Sequence, residues 1–137
     1  MPLPKRDLLL VFIGGALGTL LRFFIGQLIS SSGDFPLATF VVNISGSFAI
    51  GFLLARLGAL SEGAAVSVKQ RNWKLFLGTG FLGGFTTYSA FAFEIAALGP
   101  VVPGVSLLYA ALTIVLGVVA ALVGIWVAGN SSRRRNT

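Results

Sequence analysis

Four long apolar runs dominate the chain, over about residues 8–29, 37–60, 75–98 and 105–128. Each is about as long as an α-helix that crosses a bilayer. The segments between them read as connections. SSSGDFP at 30–36 is rich in turn formers. Residues 61–74 are polar and carry Lys69, Arg71 and Lys74, with Trp73 suited to a water interface. Gly99-Pro100-Val101-Val102-Pro103-Gly104 is a short uncharged turn. Basic residues before the first run imitate a signal peptide, but Arg22 lies inside that run and no small-x-small site closes it. A retained helix is the expectation. Gly14, Gly15 and Gly18 give that helix a small face for a neighbour. No second domain and no tandem repeat is evident, so residues 1–137 read as one membrane domain of the all-α class with four transmembrane helices.

The third run breaks the apolar rule. It contains Gly78-Thr79-Gly80-Phe81-Leu82-Gly83-Gly84-Phe85-Thr86-Thr87-Tyr88-Ser89-Ala90-Phe91-Ala92-Phe93-Glu94. Its glycines weaken helix cohesion and permit close backbone approach. The hydroxyls of Thr86, Thr87 and Ser89 offer the backbone a local alternative to helical bonding. Phe85, Tyr88 and Phe91 recur at helical spacing and share one face. A bilayer tolerates irregular backbone only inside protein or along a polar cavity. A break in the third helix is therefore expected, and it marks the functional site.

Composition narrows the function. Hydrophobic residues make up 55% of the 137 residues, and the mean hydropathy is +0.93. These values belong to a polytopic membrane protein. There is no cysteine or histidine, which removes thiolate chemistry, disulfides and imidazole metal sites. Asp7, Asp34, Glu62 and Glu94 are the only acids, so carboxylate-pair catalysis has little to work with, and no enzyme is expected. The formal charge of +6 reflects topology rather than nucleic-acid binding. Lys5, Arg6, Arg56, Lys69, Arg71, Lys74, Arg133, Arg134 and Arg135 all fall on one side of a four-span chain, and the other two loops have none. That bias predicts a multi-pass protein of the cell membrane with both termini cytoplasmic.

Several polar residues within the runs have two readings each. Arg22 is an interfacial anchor or a vestibule group that attracts anions. Asn43 is glue between helices or an amide donor to an anion. Tyr88 and Phe91 are core aromatics, or rings whose electropositive edges face a small anion. Gly83-Gly84-x-Thr86-Thr87 is a kink, or an unwound turn whose carbonyls hold a hard cation. Glu94 pairs with Arg22, bonds to hydroxyls, or carries a proton. Tyr109 and Thr113 lie four apart, on one face of the fourth helix.

Together these residues resemble the Fluc family of fluoride channels, also called CrcB. The resemblance rests on Gly14-Gly15-Ala16-Leu17-Gly18 leading to Arg22, on Thr39-x-x-Val42-Asn43-x-x-Gly46, and on the third-run motif from Gly78 to Phe91. It covers all four runs. It implies an antiparallel dimer of the dual-topology type with two anion pores along the subunit interface. It also implies a structural sodium ion held by the backbone carbonyls of Gly83 and Thr86. Asn43 would be the pore amide, Tyr88 and Phe91 the pore rings, and Tyr109 and Thr113 polar positions on the fourth helix. Ser89 and Arg22 complete the candidate anion path. Where the family commonly has Thr-Phe-Ser-Thr-Phe-Ser, this chain has Thr87-Tyr88-Ser89-Ala90-Phe91-Ala92.

The resemblance implies passive export of cytoplasmic fluoride. One alternative is a non-conducting or partly conducting subunit of a heterodimeric channel, suggested by Ala90 and Ala92. Another is a small proton-coupled multidrug exporter, which needs an acid in its first span, and the first run, over about residues 8–29, has none. The expected partners are fluoride, membrane lipid and a second four-helix subunit in inverted orientation. The one-sided charge bias favours a heterodimer over a homodimer.

Overall fold

The computed structural model describes residues 4–29, 33–59 and 67–133. Residues 30–32 of the expected 30–36 turn, the first part of the 61–74 linker up to 66, and the end of the basic tail from Arg134 lie outside the described residues. Within them the chain is helical and contains no strand. In order come α1 (Lys5–Leu28), α2 (Leu37–Ala59), α3 (Val68–Trp73), a π-helical stretch (Lys74–Leu82), α4 (Gly83–Phe85), α5 (Tyr88–Leu98) and α6 (Pro103–Arg133). Four of the resulting helical rods are long and apolar enough to cross a membrane. The third is composite and runs from Val68 to Leu98. It begins within what reads as polar linker, because Ser67 and Gln70 form a capping box that starts α3.

Two helix pairs make up the bundle. α1 packs on the π-helical stretch and α4, and α2 packs on α6. Lipid offers little hydrophobic drive for association, so the pairs close through small residues that let backbones touch. A Cβ at Gly18 would collide with the Phe81 carbonyl, and one at Gly84 with the Gly15 carbonyl. The α2–α6 crossing repeats the device: a Cβ at Gly51 would strike the Ala121 carbonyl, and one at Gly124 the Phe48 carbonyl. Both crossings are thus reciprocal, with a glycine on each helix facing backbone on the other.

Polar contacts finish the ends. Asp7 is buried in the first turn of α1 and pairs with Arg71 of α3. The first helix therefore does hold an acid, one that an arginine neutralises. Ser106 of α6 donates to the Ile95 carbonyl of α5 at 2.9 Å and ties the last two helices together beside their turn. Pro103 starts α6, where a missing N–H costs nothing.

Gly18→Val should lower stability by about 3 kcal/mol or more, because a backbone carbonyl cannot swing aside as a side chain can. Gly26→Ala, in the same helix with nothing near its Cβ position, should be neutral or gain up to about 1 kcal/mol from helix propensity. Thermal unfolding of the purified proteins in detergent measures the contrast; equal losses at both positions would contradict the packing described.

Candidate functional site

The third span is interrupted at Thr86 and Thr87, whose backbones are extended at ψ 159 and ψ 120. Each threonine closes one side of the gap. Thr86 donates both its N–H (3.0 Å) and its hydroxyl (2.9 Å) to the Leu82 carbonyl, completing the first half. Thr87 Oγ1 accepts from the Ala90 N–H at 3.1 Å and caps α5. The π-helical winding before the break was not expected from sequence. Its wider turn accompanies Gly80, whose Cα lies against the α1 backbone at Gly14 and Gly15.

Asn43 of α2 holds the gap together. Its Nδ2 donates to the Thr87 carbonyl at 3.0 Å, and its Oδ1 accepts from the Thr87 N–H at 2.9 Å. The amide copies the pairing of a neighbouring strand and satisfies a buried residue whose helical bonds are lost. Because it meets a donor and an acceptor, its orientation is fixed. One Nδ2 hydrogen remains uncommitted by this pairing.

The same bonds release two carbonyls. In a continuous helix Gly83 and Thr86 would accept from the N–H groups of Thr87 and Ala90. Those donors are instead taken by Asn43 and by the Thr87 hydroxyl. Gly83 and Thr86 both line an open groove of about 600 Å³, together with Asn43, Tyr88, Phe91 and Thr113. Gly46 makes this possible, since a Cβ there would run into the Thr86 side chain.

Three candidates lie elsewhere. Ser89 is exposed, 3.3 Å from the Thr87 hydroxyl, and outside the groove lining. Arg22 is half-buried on α1 with its Nε unpartnered. Tyr109 is fully buried and reaches the site only through its ring, 5.4 Å from that of Phe91. Its hydroxyl donates to Glu94 Oε2 at 2.7 Å, and Thr39 donates to Glu94 Oε1 at 2.6 Å. Of the three readings of Glu94, bonding to hydroxyls is the one the structure displays. Thr113 spends its proton on the Tyr109 carbonyl at 2.7 Å and therefore offers the groove lone pairs. The clasp on Thr87 and the Thr39–Glu94–Tyr109 cluster were missed in the sequence. No local pattern joins positions 44 or 55 apart.

The groove can do two things chemically. An amide hydrogen, the Tyr88 hydroxyl and two ring edges favour a small anion. The freed carbonyls favour a hard cation. No group of three or more His, Cys, Asp or Glu side chains suited to a metal exists among the described residues, so carbonyl oxygens are the donors a cation would find.

Comparison with known proteins gives a consistent picture. Residues 9–125 match the model of the family described as CrcB-like protein, Camphor Resistance (CrcB). The chain is similar to a fluoride-specific ion channel FluC 2 of Leifsonia xyli, 43% identical over 88% of this chain and 81% of that protein. It is similar to a FluC 2 of Bacillus subtilis at 43% identity over 85% and 83% of the two chains. A fluoride-specific ion channel FluC of Hyphomonas neptunium is 42% identical over 88% and 93%.

Asn43→Leu should strand both the N–H and the carbonyl of buried Thr87, at about 1–3 kcal/mol for each group. Thermal unfolding should show the loss, and Thr87 amide hydrogen exchange should accelerate. Unchanged exchange would mean that the amide does not hold the break.

Proposed function

We propose a function from one premise: this chain belongs to the CrcB family, and its relatives are fluoride-specific ion channels. The chain is a fluoride-specific ion channel embedded in the membrane, and it is not an enzyme. It lets cytoplasmic fluoride leave passively, down its electrochemical gradient. The observation that carries the mechanism is the Asn43 clasp in a groove also lined by Tyr88 and Phe91. Fluoride must shed tightly held water to enter a narrow path. Fixed donors that need no reorganisation offset that cost, and ring edges keep the ion from binding too firmly to leave. The exporter reading is not favoured. The acid of its first helix is held by Arg71, and Glu94 is committed to Thr39 and Tyr109.

The groove is open, and Tyr88 is 80% exposed on it. A second four-helix subunit in inverted orientation, seated there, would turn an open trough into an enclosed path. The freed carbonyls of Gly83 and Thr86 fit a structural sodium ion. With the matching pair from an inverted subunit they would hold it, and the ion would supply positive charge between the two broken helices. The basic residues direct both termini to the cytoplasm. An antiparallel companion would then be a different chain with reversed bias, making the assembly a heterodimer.

Fluoride efflux from proteoliposomes tests the channel. The assembled protein should release fluoride and retain chloride, and Asn43→Asp should slow release by about tenfold or more, the value of one charge-assisted hydrogen bond. Efflux indifferent to that change would take the amide out of the path. Topology reporters on both termini test the orientation. Cytoplasmic signal alone is expected, and a substantial external fraction would restore the homodimer.

A further inference from the structure

A second groove lies on α1, away from the candidate pore. It holds about 580 Å³ and is lined by α1 alone, with small Gly15 and Ala16 as its floor and Phe12 and Phe23 as walls. It shares no lining residue with the groove of Asn43 and Tyr88. The buried face of α1, at Gly14 and Gly18, is spent on the third span. The second groove runs from Val11 to Phe23, a rise of roughly 18 Å along the helix. One leaflet of bilayer hydrocarbon is about 15 Å deep.

Positive charge crowds one end of that groove. Lys5 precedes Phe12 by seven residues and so stands on the same face of α1. Exposed Arg6 adjoins it. The Asp7–Arg71 ion pair holds α3 beside the start of α1, so exposed Lys69 of α3 lies at the same end of the bundle. Trp73, 45% exposed on the same short helix, suits the headgroup region. An apolar trough one leaflet long, with a basic crown at its mouth, matches one class of molecule in both length and charge.

We propose that this surface is a binding site for an anionic phospholipid. One acyl chain lies in the α1 groove, and the headgroup phosphate rests on Lys5, within the positive field that Arg6 and Lys69 add at the same end of the bundle. The site does not depend on what the pore conducts, and its test has no ion flux in it. The chain has two tryptophans, so Trp126→Phe leaves Trp73 as the sole reporter. That protein, reconstituted in phosphatidylcholine, receives equal small fractions of bromine-labelled phosphatidylglycerol or bromine-labelled phosphatidylcholine. Trp73 quenching should report at least a three- to fivefold preference for the anionic lipid, which is about 1 kcal/mol, the contribution of a single basic residue near a membrane surface. The preference should fall to about one in K5Q/R6Q/K69Q. Those substitutions are on the surface, and an unchanged far-ultraviolet circular dichroism spectrum verifies folding. Equal quenching by both lipids, or a preference that survives the triple substitution in folded protein, overturns the proposal. So does efficient disulfide dimerisation of Ala16→Cys in the bilayer, which would give the groove to a second copy instead.

Discussion

The structure depends on one side chain meeting one backbone residue. Asn43 gives Thr87 the donor and the acceptor that its neighbours in the third span no longer provide. In water such a gap would be repaired by solvent. In a bilayer each unsatisfied backbone group costs several kcal/mol, and only protein is close enough to repair it. The clasp therefore does more than join two helices. It makes an interrupted helix tolerable at membrane depth, and by taking the Thr87 N–H it frees the Gly83 carbonyl.

Close packing is what brings Asn43 within reach. The first and third spans approach until a single methyl at Gly18 or Gly84 would meet backbone, and α2 and α6 do the same at Gly51 and Gly124. Glycine at these positions removes side chain and brings carbonyls near the opposing Cα atoms, where dispersion and weak C–H contacts operate. Large side chains are correspondingly pushed outward. Phe12, Phe23, Leu122 and Trp126 stand exposed on the perimeter, as lipid contact requires.

Polar groups within the spans follow the same economy of partners. Asp7 is buried and answered by Arg71. Glu94 accepts from two hydroxyls, one on α2 and one on α6, and so gathers three helices around a carboxyl. Tyr109 is fixed between that bond and the rings of Phe35 and Phe91, each 5.4 Å away. The aromatic wall of the groove thus has its back against a hydrogen-bonded cluster.

Much of this was legible in the chain itself. Apolar runs of spanning length determine the four helices, because lipid admits few other backbone solutions. The glycines and threonines of the third run determined that it would break, since they weaken the helix and cap its halves. The motif from Gly78 to Phe91, with Asn43 and Gly46, pointed to the family. Tertiary structure decided the rest. That Asn43 reaches Thr87, that Glu94 turns to Thr39 and Tyr109 instead of Arg22, and that Asp7 finds Arg71 are contacts between residues 15 to 64 apart. Local propensity is blind to such pairs. They exist only once glycine-lined crossings have set how closely and at what register the helices meet, and hydropathy carries no record of that register.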